Sequence, residues 1–354
     1  MKLTTTVLIG LFSTALLPAA KPNFLLLLSD DQDWTGLSVA MHPEIAGSKS
    51  AVIQTPNLAK LAGQGMRFSA AYAPSPVCSP TRISIQTGMS PARLHWTKAA
   101  PNLDASAGYK LTAPAGRKSI RPEEVTIAEL LKTAGYATAH FGKWHISGGG
   151  PERHGYDQSD GDTGNRDAAP HKGDNPVDIF GMGRRAATFM EENVSREQPF
   201  FIQMSYHALH YPENAKPETL AKYEKLGDGK NAGRAAISED LDTGVGRLLA
   251  KIDELGISEM TYVIYMSDNG GGGGGKRGGR RPLQGGKGSL WEGGIRVPLI
   301  IRGPGIEAGS WNHQRVVGFD LLPTLCDLAG VAPDLPEEVE GGSFAPLLDG
   351  SSDP

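Results

Sequence analysis

Apolar residues in this chain fall into short solid runs, separated by polar stretches with helical spacing. Phe24-Leu25-Leu26-Leu27-Leu28 lies between Pro22 and Ser29-Asp30-Asp31. A continuous apolar run of that length predicts a strand buried on both faces. The segments 136–141, 200–206, 261–266 and 297–301 read the same way, and 66–72 can return as a further strand. Between them, Thr55-Pro56 opens a helix through Leu58 and Leu61 that Gly63 and Gly65 close, and Thr126 caps another ending near Ala134-Gly135. A long helix is expected over 235–255, and an amphipathic one over 319–329 that makes Cys326 a core residue. This alternation predicts an α/β fold with a mostly parallel central sheet and helices on both faces. In such sheets functional groups gather beyond the carboxyl ends of the strands. Three of the runs lead directly into polar clusters: Asp30-Asp31, the stretch from His207 to His210, and Asp268-Asn269. No internal repeat is visible, and low complexity is confined to the glycines at 270–275.

Composition narrows the class. With 354 residues, 39% hydrophobic and 21% charged, the chain can bury a large core. A formal net charge of -4 without a broad basic stripe argues against a nucleic-acid partner. Lys276, Arg277, Arg280 and Arg281 are interleaved with glycines and read as a loop. Residues 1–20 have the form of a secretory signal peptide: Lys2, an apolar run over 7–17, then Pro18-Ala19-Ala20. The run is too short for a comfortable membrane span, and no cysteine follows it to carry a lipid. The expectation is an exported protein, periplasmic or extracellular, with no membrane anchor and one domain over 21–354. Two cysteines do not make a disulfide scaffold.

The chemistry centres on Cys78-Ser79-Pro80-Thr81-Arg82. Ser79 as N-cap and Pro80 as first helical residue predict a short helix over 80–87. Cys78 then sits at the positive end of that helix with Arg82 one turn on, a place that attracts an anion. Taken alone, Cys78 reads equally as a small buried apolar residue or a partner for Cys326. The spacing to Arg82 is too short for the loop of a thiolate phosphatase. Asp30, Asp31 and Asp268 converge if their strands are neighbours. Three carboxylates in contact repel by roughly 4 kcal/mol per pair at an effective dielectric near 20, so they stay apart or a cation holds them. With Asn269 they offer oxygen ligands, which suit Ca²⁺ or Mg²⁺ better than zinc, although each Asp singly reads as a helix cap. Lys143 and His145 follow a strand with one residue between them; if the chain is still extended they share a face and become acid/base or anion-contact candidates. Lys287 stands in Gly285-Gly286-Lys287-Gly288, a context that lets an ammonium approach a ligand closely.

The Cys78-x-Pro80-x-Arg82 spacing, followed by Ile83-Ser84-Ile85-Gln86-Thr87-Gly88, resembles the signature of the type I sulfatases, formylglycine-dependent enzymes of the alkaline phosphatase superfamily. Gly142-Lys143-Trp144-His145, Ser267-Asp268-Asn269-Gly270 and the stretch from Glu292 to Pro298 match that family in order, from about Lys21 to the end. The resemblance implies an alkaline-phosphatase-like fold and hydrolysis of sulfate monoesters at the S–O bond. It further implies that a formylglycine-generating maturation enzyme oxidises Cys78 to an aldehyde whose hydrate is the nucleophile. Asp30, Asp31, Asp268 and Asn269, with residue 78, would hold Ca²⁺, with Mg²⁺ as the alternative. Arg82 and Lys143 would hold the hydrate, His145 would take a proton from it, and Lys287 and His210 would bind sulfate and protonate the departing alcohol. His210 fits better than His207, because His210-Tyr211-Pro212 has the family's His-x-Pro context. Sulfated carbohydrates are the implied substrates, and Trp34, His95, Trp96 and Trp291 could stack on sugars, though each reads equally as packing. The rival readings are a phosphomonoester or phosphonate hydrolase of the same superfamily and a non-catalytic binding protein for sulfated glycans. Two departures stand out. The family continues past a segment like 341–350 into a small C-terminal subdomain, which this chain is expected to lack in large part. Past Gly155-Tyr156-Asp157, only Ser159 offers itself as the additional sulfate contact.

Overall fold

The computed structural model describes residues 21–99, 108, 110–111, 116–226, 231–272 and 282–350. The expected signal segment at 1–20 and the basic cluster at 276–281 lie outside them. Among the described residues the strands are β1 (Asn23–Ser29), β2 (Met66–Phe68), β3 (Ala71–Tyr72), β4 (Ala137–Gly142), β5 (Gln158–Ser159), β6 (Phe200–Ser205), β7 (Thr261–Ser267), β8 (Leu299–Arg302), β9 (Trp311–Asn312) and β10 (Val316–Val317). The helices are α1 (Pro56–Gln64), α2 (Cys78–Thr87), α3 (Ile127–Thr133), α4 (Ile179–Ser195), α5 (Pro217–Lys225), α6 (Ala232–Glu254), α7 (Glu292–Ile295), α8 (Leu321–Leu328) and α9 (Ala345–Leu348).

Eight strands form one sheet in the order β5-β4-β6-β1-β7-β8-β2-β9. Every pairing is parallel except those of β8, which runs antiparallel to both β7 and β2. The apolar run at 297–301 therefore starts its strand two residues late and runs against the rest of the sheet. The segment 66–72 does not form one strand either: it breaks at Ser69 and Ala70, so β2 joins the large sheet while β3 pairs with β10 in a two-stranded ribbon.

The solid leucine run of β1 has the predicted reason. Phe24, Leu26 and Leu28 point into one core with α2, α3 and α8, while Leu25 and Leu27 point into the other with α1, α4 and α6. All five are fully buried, each worth roughly 1.5–3 kcal/mol on transfer from water. Cys326 is part of the first core, and both it and Cys78 are unpaired. No described helix is long and apolar enough to cross a membrane.

Two helix starts differ in how they are fixed. Thr126 caps α3 as expected: its hydroxyl accepts from Glu129 N–H at 3.3 Å, and the Glu129 carboxylate accepts from Thr126 N–H at 2.8 Å. Ser79, by contrast, is not a cap. Helix α2 begins at Cys78, two residues before the expected start at Pro80, with Val77 in the cap position and no side-chain cap bond.

Gly142 ends β4 with φ +96°, and a Cβ there would stand 2.1 Å from the Ser205 carbonyl oxygen of β6. Gly142→Ala is therefore expected to lower stability by about 2–3 kcal/mol, from left-handed strain plus displaced backbone. Urea denaturation midpoints measure this; an unchanged midpoint would contradict the close approach.

Candidate active site

The four adjacent strands β4, β6, β1 and β7 are parallel, so their carboxyl ends open on one edge of the sheet. β1 runs out into Asp30 and Asp31, β7 into Asp268 and Asn269, β4 into Lys143, and β6 leads to His207 and His210. Backbone bonds lock the ends together: Asp268 N–H donates to Ser29 O at 3.0 Å, and Asp30 N–H to Ala208 O at 2.8 Å. Asp31 N–H donates to the Asp268 carboxylate at 3.1 Å. Asp31 and His145 both hold left-handed backbone, with φ +61° and +58°. Such strain at non-glycine residues concentrates where a side chain must be aimed.

Helix α2 lays Cys78 and Arg82 over this edge. Arg82 donates to one Asp268 oxygen from Nε at 3.1 Å and from Nη2 at 2.8 Å, and to Lys143 O from Nη1 at 2.7 Å. Lys143, fully buried, pairs with Asp30. Lys287 Nζ donates to Asp31 at 2.7 Å and lies 3.6 Å from Cys78 Sγ. Cys78 Sγ is in turn 3.5 Å from Asp30 Oδ1. The repulsion expected among the three carboxylates is thus met by three side-chain cations, Arg82, Lys143 and Lys287, one for each.

The titration behaviour follows. Burial alone would raise the Asp30 pKa, but Lys143 and Arg82 outweigh it and hold the carboxyl well below its usual range. Asp268, raised by burial and by Asp30, reaches about 6 despite Arg82. Burial, then the Asp30 charge, push the Cys78 thiol far up, so the sulfur is protonated at neutral pH. His145 and His207 are each lowered to about 3 by burial and by Lys143, leaving both rings neutral.

A cation fits among these residues. Oxygens of Asp30, Asp31 and Asp268 and the sulfur of Cys78 all lie within 4.8 Å of one another. Asn269 supplies the sharper sign: its Nδ2 donates to Asp31 and to Gly270 O at 2.7 and 2.9 Å, while its Oδ1 is buried with no partner. An acceptor left open in a cluster of carboxylates is where a hard cation would complete the coordination.

The remaining expected residues divide. His145 is not on extended chain, yet its turned backbone brings Nδ1 to 3.4 Å from Ser79 Oγ at the start of α2. His210 is half-buried beside the site, its Nδ1 meeting Tyr211 O at 2.8 Å. His207 is buried, and its Nδ1 has no partner. Trp34 and Trp96 are packing residues, 2% and 3% exposed, whereas Trp291 is 60% exposed and His95 is exposed. Ser159 lies on the sheet's edge strand and donates to Glu152 at 2.5 Å. The residue that sequence reasoning missed is Arg234: from α6 its guanidinium donates to Leu209 O at 2.6 Å and to Asp31 O, clamping the two loops. Nothing in its helical surroundings marks it.

A model of the sulfatase family matches residues 22–331. The chain is similar to arylsulfatase A of Homo sapiens, with 29% identity over 94% of this chain and 69% of that protein. It is also similar to N-acetylgalactosamine-6-sulfatase of Mus musculus, with 30% identity over 92% of this chain and 66% of that protein. The chain thus spans about two thirds of the length of these relatives. Among solved structures, the PsFucS1 sulfatase from Pseudoalteromonas sp. superposes with TM-score 0.69 and 26% identity, over 92% of this chain and 70% of that one.

Arg82→Met should strand the buried Asp268 carboxylate. Losing one partner of a buried ion pair costs about 3–5 kcal/mol, read as a fall in unfolding free energy by chemical denaturation. A variant as stable as the parent would contradict the pairing.

Proposed function

This chain belongs to the sulfatase family, and we propose that it hydrolyses sulfate monoesters at the S–O bond, with residue 78 as nucleophile once Cys78 has been oxidised to formylglycine by a maturation enzyme. One observation carries the reading: a buried cysteine sits among three carboxylates and an open amide oxygen, under the cations Arg82, Lys143 and Lys287. A protonated sulfur is the mismatched member of that oxygen-rich set. Replacing it by the oxygens of an aldehyde hydrate removes the mismatch for a hard cation.

With the cation bound, Ca²⁺ or alternatively Mg²⁺, the site supplies a hydroxyl nucleophile at residue 78 and positive charge for the sulfate oxygens. Asp30, Asp31, Asp268 and Asn269 would hold that ion. The chain's other residues handle charge and protons. Lys287, whose side chain is partly exposed at the mouth, and His210 bind sulfate oxygens and give the departing alcohol its proton as the ester S–O bond breaks. His145, neutral at pH 7, takes the proton from residue 78 that lets sulfate depart and the aldehyde return. Arg82 and Lys143 hold residue 78 and its charge in place, through Asp268 and Asp30.

Sulfated carbohydrates are the proposed substrate class, supported by the sulfated-sugar chemistry in the name of the murine relative and by the exposed Trp291 four residues past Lys287. Export with removal of residues 1–20, and one catalytic domain over 21–354, belong to the same proposal.

Cys78→Ser should abolish turnover of an aryl sulfate while leaving the thermal midpoint within a degree or so of the parent; an active, unmodified serine variant would defeat the assignment. Chelation of divalent ions should also stop turnover, and Ca²⁺ should restore it. In Asn269→Ala the Ca²⁺ concentration for half-restoration is expected to rise about tenfold or more, the worth of one charge-assisted ligand. Equal Ca²⁺ requirements in both proteins would remove Asn269 from the ligand set.

A further inference from the structure

Along the same edge of the sheet as the Cys78 site lies a cavity of about 580 Å³, which no step above uses. Its lining includes His42, Ser69, Tyr72, Arg296, His313 and Arg315. Strand directions fix where it lies. β2 and β7 are each antiparallel to β8, so they are parallel to one another, and β9 is parallel to β2. Ser69 follows the end of β2 and His313 the end of β9, so both open on the edge where β1, β4 and β7 deliver the catalytic cluster. Only β8 separates β7 from β2. At about 4.8 Å per strand, the cavity stands about 10–15 Å along the edge from the end of β7. The loop between them is shared: Lys287 beside Cys78 and Arg296 in the cavity flank the short helix α7.

The cavity is built rather than incidental. His313 Nδ1 lies 2.7 Å from the hydroxyl of Ser69, itself buried, and its ring stacks on Trp311 with 3° between the planes. Arg67 covers the other aromatic ring in that stack, 3.9 Å from the Trp311 centroid. This fixes the imidazole and leaves its Nε2 outside the Ser69 contact. His42 stands 5.9 Å away, ring centre to ring centre. The Arg296 charge is already used, by Glu292 at 3.1 Å and by Ser69 O at 2.6 and 2.9 Å. Arg315 is different: it lines the cavity, is exposed, and is in no ion pair among the described residues. The lining holds one carboxylate, Glu44, and the carboxylate of Glu292 is taken up by Tyr72 and Arg296. The Tyr72 hydroxyl already donates to the Glu292 carboxylate at 3.1 Å, which leaves the fixed His313 imidazole, His42 and the unpaired Arg315 guanidinium as the donors open to an anion.

We propose that this cavity binds a second sulfate group of the same oligosaccharide whose sulfate ester reacts at residue 78. It makes the enzyme a reader of sulfation pattern, favouring chains that carry another sulfate a short distance from the reacting one. The inference rests on the sulfatase reading of the Cys78 site, and its test is separable from that reading.

The test compares the parent with Arg315→Ala and His313→Gln, both exposed positions outside the catalytic cluster. The probes are 4-nitrophenyl sulfate, which has one sulfate, a short dextran sulfate oligosaccharide, which has many, and inorganic sulfate. Expected is a rise of about tenfold in the inhibition constant of the dextran sulfate oligosaccharide, with kcat and KM for 4-nitrophenyl sulfate and inhibition by inorganic sulfate unchanged. The difference between parent and variants should shrink as salt is raised. An unchanged inhibition constant overturns the proposal, and so does an equal loss for all three probes, which would mean one site disturbed as a whole. Calorimetric binding of the dextran sulfate oligosaccharide to parent and variants reads the cavity even if 4-nitrophenyl sulfate is not turned over, so failure of the catalytic reading is told apart from failure of this one.

Discussion

Three carboxylates share one buried cluster, and the rest of the molecule is arranged so that they can. At contact distance each pair repels by roughly 4 kcal/mol at an effective dielectric near 20. That sum rivals the net stability of a typical domain. The cluster persists because a cation arrives for each acid from a different part of the chain: Arg82 from α2, Lys143 from the end of β4, Lys287 from a glycine-flanked loop. Removing any one leaves a buried charge without a partner, which costs more than the pair itself contributes. As it stands the cluster is electrically balanced. A bound divalent cation would leave it with surplus positive charge, which is the condition that favours an anionic sulfate ester and, more strongly, the charge that develops on sulfate during cleavage. The same interaction that permits the fold therefore sets the chemistry.

Much of this was legible in the sequence where local pattern decides. The solid run of β1 announced a strand buried on both faces, and Asp30-Asp31 directly after it announced a site at the sheet's edge; β7 with Asp268-Asn269 repeats the signal. Thr126 and Glu129 wrote their cap in four residues. What stayed hidden depends on contacts distant in the chain. Ser79 has the chemistry of a cap, but α2 starts two residues earlier than that cap implies, and the Ser79 hydroxyl faces His145 instead. The direction of β8 is set by its neighbours β7 and β2, and the left-handed turn at His145 leaves no mark in Gly142-Lys143-Trp144-His145. Arg234 was invisible for the same reason: its role comes from two carbonyls, at Leu209 and Asp31, that only the folded chain brings to it.

The carboxylate cluster and the proposed recognition cavity lie on one edge of the sheet. The inner parallel strands bring acids and cations to the reacting position, where burial strengthens every charge. Further along, β2 leads to the buried Ser69 while β9 leads into the exposed His313 and Arg315, where the same sheet geometry spaces a softer and wetter set of donors. In the proposed reading the buried set acts on one sulfate and the exposed set distinguishes what surrounds it. Exposed residues such as Arg315 and Trp291 can change without disturbing the charge balance beneath, so a buried cluster of this kind is compatible with different surroundings at its rim.

The most direct test of the central claim is a crystal structure of the matured protein grown with Ca²⁺, with the ion located by its anomalous scattering. The expected result is a single ion held by Asp30, Asp31, Asp268 and the Asn269 Oδ1 atom, beside an oxidised residue 78. An ion bound elsewhere, or carboxylates still closed on Arg82, Lys143 and Lys287 with no metal density at saturating Ca²⁺, would contradict it.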